Sequence, residues 1–104
     1  VKRALAGIVL LCTASGASAA GTDVVQGLAD VLAAEAFCDL AYDQNAIAAF
    51  IEKHVAADDL DFTGDLKGLI FIAERTQQTM SASAATAHCT QVRRLAATYG
   101  FINP

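Results

Sequence analysis

Three cysteines, two histidines and one acidic run are the residues whose types could do chemistry in this 104-residue chain. A thiol could act as a nucleophile at Cys89, with the adjacent His88 as its base. Neighbouring residues on a helix point about 100° apart, however, which places His88 badly for taking a proton from that sulfur. Zinc needs three or four ligands at close spacing, and His54, His88 and the cysteines follow no H-x-x-x-H or C-x-x-C pattern. Both histidines are expected at surface or half-buried positions.

The acidic run Asp59-Leu60-Asp61-Phe62-Thr63-Gly64-Asp65-Leu66 partly matches a calcium loop. Asp59, Asp61 and Thr63 fall at the first, third and fifth ligand places, with Gly64 at the turn. The loop then requires a bidentate glutamate where this chain has Ile70, so calcium is not expected and the run reads as a polar turn before a helix. Glu35 is expected at the rim of the first helix, paired with Arg75, Arg93 or Arg94. The serines lack a G-x-S-x-G setting, glycine-rich phosphate loops are absent, and no acid–base pair shares one helical turn. A non-catalytic protein without cofactor or metal is the expectation.

The elements that must position these residues read as four helices and no strand. The first runs from about Thr22 to Cys38, with Val24, Leu28, Val31 and Leu32 at 3–4 spacing. Asp43 caps the second, which carries Ile47, Phe50, Ile51 and Val55 on one face. Thr63 is the expected cap of the third, beginning at Gly64-Asp65, with Leu66, Leu69, Ile70, Ala73, Gln77 and Met80 inward. Ser83 is the expected cap of the fourth, with Cys89, Val92, Ala96 and Tyr99 inward. Gly100 stands at its C′ position, and Phe101 and Ile102 fold back. The fold class predicted is all-α, a small four-helix bundle or orthogonal helical array with one disulfide.

The third helix poses a question of its own. Leu69-Ile70-Phe71-Ile72-Ala73 is apolar without a break, and a helix buries only part of its circumference. Either this helix is central and covered on both sides, or Phe71 and Ile72 form an exposed patch, making Ile70, Phe71 and Ile72 the candidate interaction surface. Gly68, just before them, is expected to permit close backbone approach.

Residues 1–19 read as a cleaved signal peptide: Lys2 and Arg3, an apolar run from Ala4 to Leu11, and the A-x-A site Ala17-Ser18-Ala19. Cleavage leaves Ala20 or Gly21 first, and residues 20–104 as a single helical domain. Leu11 before Cys12 is wrong for lipid attachment, so Cys12 is expected to leave with the signal. Cys38 and Cys89 then remain, and an even pair in an oxidising compartment reads as one disulfide. A periplasmic or secreted location follows.

At 55% hydrophobic residues the chain is too apolar for disorder, and no mature segment is long enough to span a membrane. Losing Lys2 and Arg3 leaves five Lys and Arg against eleven Asp and Glu, a net charge of −6. That balance offers no footprint for nucleic acid.

Two resemblances add to this reading. Phe37-Cys38-Asp39-Leu40, Tyr42-Asp43-Gln44, Ala57-Asp58-Asp59, Ala87-His88-Cys89, Arg93-Arg94 and the ending Tyr99-Gly100-Phe101-Ile102 resemble short, secreted, alanine-rich proteins of alphaproteobacteria, a group without assigned activity. In layout the chain also resembles the HdeA/HdeB acid-stress chaperone family. The likeness lies in the cysteine separation and the surroundings Cys38-Asp39 and Cys89-Thr90-Gln91. It lacks that family's tryptophan before the first cysteine and its lysine-rich end. The expected function is therefore an exported binding protein with a protein partner or a second copy. The alternative implied by the second resemblance is an acid-activated periplasmic holdase.

Overall fold

A computed structural model describes residues 24–103, and four helices make up their regular structure. Helix α1 covers 24–37 within the described residues, α2 is Gln44–His54, α3 Phe62–Gln77 and α4 Ala82–Tyr99. The fold is all-α, and no described helix is long and apolar enough to cross a membrane. The expected signal peptide 1–19, Cys12 within it and the Thr22 start of α1 lie outside the described residues.

α1 occupies the centre. Leu28, Ala29, Val31 and Ala34 are fully buried and Ala33 nearly so. Its alanines keep the helix thin, so neighbours can approach on more than one side. The main core joins Leu28, Ala29 and Val31 to Tyr42, Phe62, Leu66, Ala96 and Phe101. α2 has no fully buried residue and packs through half-buried Ile47, Phe50 and Ile51. A second, smaller cluster of Ala34, Cys38 and Val92 surrounds the disulfide. Cys38 and Cys89 are bonded, S–S 2.06 Å and Cα–Cα 5.4 Å, tying the end of α1 to the first half of α4.

The helix ends are set by local chemistry. Asp43 accepts from the N–H groups of Asn45 (2.9 Å) and Ala46 (3.3 Å), capping α2 as expected. Gly100 takes the left-handed conformation, φ 87°, and the Phe101 N–H reaches back to the Ala96 carbonyl at 2.9 Å. The same closure ends α1 around Asp39, φ 57°, with the Leu40 N–H on the Glu35 carbonyl at 2.8 Å. The sequence reading did not single out Asp39, because this position usually carries glycine.

Two helix starts differ from expectation. α3 begins at Phe62 after Asp61, not at Gly64 after Thr63, and Phe62 is only 6% exposed. Drawing that ring into the core puts it in the first helical turn and moves the start upstream. α4 is capped by Ser81, whose hydroxyl accepts from the Ala84 N–H at 3.2 Å, and not by Ser83.

The glycine expectation is also corrected. A Cβ at Gly68 would meet nothing within 4 Å, whereas one at Gly27 would lie 3.0 Å from the Tyr99 hydroxyl. The close approach is therefore between α1 and the end of α4. Glu35 does sit at a half-buried rim, but its carboxylate accepts from the Tyr42 N–H at 2.7 Å. Two of the three arginines are engaged elsewhere: Arg75 lies over the Phe71 ring and Arg94 donates to Gln91.

Tyr42 is a joint of the fold with a pH signature. Its hydroxyl donates to the Val31 carbonyl at 2.8 Å. Burial, with Glu35 nearby, pushes its phenol up to about 12. An unfolded tyrosine ionises near pH 10, so between about 10 and 12 the folded chain keeps a proton that the unfolded chain has lost. Stability from this group is complete below about pH 10 and falls as pH rises toward 12. Urea melts stepped through that window should show the decline. Tyr42→Phe should remove most of it, leaving a smaller slope from Tyr99, which burial and then Asp30 raise.

Candidate functional site

The apolar run on α3 is where buried and exposed residues part. Leu66 is buried, and Leu69 and Ile70 are half-buried against the main core. Phe71 and Ile72 point outward at 59% and 60% exposure. Because α1 holds the centre, α3 packs on one side only, which settles the open question of its covering within the chain. Of the three candidate surface residues, Phe71 and Ile72 stand together outside, while Ile70 turns partly into the fold.

Arg75 follows Phe71 by one turn, and its guanidinium carbon lies 5.7 Å from the ring centroid. A cation over an aromatic face contributes about 0.5–1 kcal/mol at an exposed site. The contact orders the ring without covering it. Gly64 and Gly68 are exposed as well, so α3's outward stripe is flat on its N-terminal half and bulky after that.

Beside Ile72 lies a cleft of about 210 Å³ between α1, α3 and α4, with Leu69, Ile72 and Met80 as its apolar wall. Gln77, only 3% exposed, forms its polar floor. The Gln77 amide nitrogen donates to the Ala33 carbonyl at 3.0 Å, which leaves the amide oxygen facing His88 Nε2 at 3.1 Å. That oxygen can only accept, so Nε2 is the protonated ring nitrogen of His88. His88 is thus half-buried in a structural contact, and its ring also faces Phe37 at 6.3 Å. The sequence reading placed Gln77 on the inner stripe but missed its partner. A polar residue on a buried stripe needs a hydrogen bond, and that was the available signal.

His54 is exposed and packs on Phe50, with ring centroids 4.3 Å apart. Of the acidic run, Thr63 and Gly64 already belong to the first turn of α3, so they do not form an open loop with Asp59 and Asp61. Among the described residues, no three His, Cys, Asp or Glu side chains are grouped to hold a metal.

The disulfide removes Cys38 and Cys89 from thiol chemistry. Among the described residues, Phe71 and Ile72 are adjacent exposed large apolar side chains on the outward face of α3, and Leu60, 88% exposed, stands in the turn just before that helix. Comparison of the chain with family models, with curated proteins and with solved structures finds no match.

Proposed function

We propose that the chain is an exported, non-catalytic binding protein that works through the outward face of α3. The observation carrying this reading is the pair Phe71 and Ile72, each about three-fifths exposed on a rigid helix of a small acidic domain. Adjacent large apolar side chains held in water favour contact with another surface. The cysteine pair and the signal-like residues 1–19 support export.

A second reading, the acid-activated holdase, is favoured by the loose seating of α2, which has no fully buried residue and whose entry is held by hydrogen bonds. Glu35 holds the Tyr42 N–H, and Asp43 holds the first turn of α2. Near pH 2 carboxylates are protonated, and the mature chain swings from −6 to about +8. Self-repulsion then grows, which would loosen α2 over the core.

A photo-crosslinking residue at position 71, tested in the producing cell at neutral pH and near pH 3, separates these readings. The control position is exposed Glu52 on α2. Discrete adducts at neutral pH, specific to position 71, are the expected result. A broad set of adducts formed only in acid supports the holdase. No position-specific adduct at either pH overturns both.

A further inference from the structure

We infer that the outward face of α3 is built to pair with a second copy of itself, antiparallel and two-fold. This rests on the binding reading above and names its partner. The outward stripe runs Gly64, Gly68, Phe71, Arg75 and Gln78, in the alternating 4- and 3-residue steps of a coiled-coil seam. Its flanks differ. Lys67 and Glu74 lie on one side, Asp65 and Ile72 on the other. All of these residues are exposed.

Neither Lys67 nor Glu74 has an oppositely charged residue three or four positions away on its own helix, so neither pair of intrahelical contacts satisfies it. They are seven residues apart, on the same flank. In an antiparallel two-fold pair each flank faces its own copy, because the symmetry axis lies across the seam. Lys67 of each chain then meets Glu74 of the other, twice per dimer.

The register that forms those two ion pairs also satisfies the shapes. It sets Phe71 of each chain nearly level with Phe71 of the second copy across the axis, and Arg75 between Gly64 and Gly68 and beside Asp65 of the second copy. Ile72 meets Ile72 across the axis on the opposite flank. The Arg75 end of the stripe therefore falls on the flat half, where a Cβ at Gly64 or Gly68 would meet nothing within 4 Å inside one chain. A parallel pair would separate Lys67 from Glu74 of the second copy. Within one chain these glycines only weaken the helix; across a dimer they are the recesses.

A 16-residue helix is about 24 Å long, so a single pair buries an area at the small end of specific interfaces. Association is accordingly weak and depends on concentration.

Sedimentation of the oxidised chain over a range from about micromolar to about millimolar tests this. The wild type should move from monomer to dimer. Lys67→Glu and Glu74→Lys should each weaken the dimer by about tenfold or more, since each sets like charges together twice. Mixing those two variants in equal amounts should recover association, because every facing pair is then of opposite sign. Gly68→Gln should raise the melting temperature of the dilute chain while weakening the dimer, a split that a misfolded variant would not give. A wild type that stays monomeric throughout, or a mixture no tighter than the single variants, overturns the inference. Adducts at position 71 to other proteins, found together with a monomeric wild type, would remove the self-pairing and leave the binding function standing.

Discussion

Replacing Cys38 and Cys89 together by serine should lower stability by about 4 kcal/mol. The cross-link closes a loop with a sequence separation of 51, and chain-entropy scaling gives that order of magnitude. The site makes the loss hard to absorb. Cys38, with Ala34 and Val92, forms the minor cluster that joins α1 to α4, and that cluster holds no other large fully buried side chain. For a domain of this size a loss of 4 kcal/mol lowers the melting temperature by about 20 °C or more. Thermal melts of the double variant and of the reduced wild type should coincide, both well below the oxidised protein. A fall of only a few degrees would mean that the main core alone carries the fold.

Phe101→Ala should cost about 3–5 kcal/mol, the range for deleting a fully buried phenylalanine. Phe101 is 1% exposed and lies after the last helix, yet it meets three rings. Tyr42 and Phe50 have centroids at 5.7 Å, and Tyr99 at 5.4 Å. Its carbonyl also accepts the Asp43 N–H at 2.9 Å, so the tail anchors the entry to α2. Phe71→Ala is the natural comparison, because that ring is 59% exposed. Its effect should stay within about 1 kcal/mol in dilute solution, the scale of the lost Arg75 contact. Urea denaturation of the two variants separates the ring that holds the fold from the ring that faces outward.

Much of this architecture is legible along the chain because its causes are local. Asp43 before a 3–4 apolar pattern and Gly100 followed by Phe101 each act within a few residues, and both ends form where the pattern puts them. The other starts were ambiguous for a local reason as well. Asp61 and Thr63, or Ser81 and Ser83, are near-equal caps by residue type. Burial of Phe62 decides the first case, and that is a tertiary event. Gly68 and Gly27 are alike in sequence, and only packing shows that Gly27 is the one facing Tyr99.

By itself, the sequence determined the helical class and the existence of an apolar excess on α3, and the expected removal of residues 1–19 left Cys38 and Cys89 as the one pairing. Helical period, capping and cysteine parity are properties of neighbouring residues or of counts, and they survive without coordinates. The tertiary structure alone decided which helix is central, and therefore that Phe71 and Ile72 face out while Gln77 meets His88. An amphipathic pattern states how much of a helix prefers burial, but not how many neighbours will cover it. That depends on how closely other helices can approach. Here the alanines of α1 allow the closest approach, so the covered place went to α1 and the outward stripe to α3.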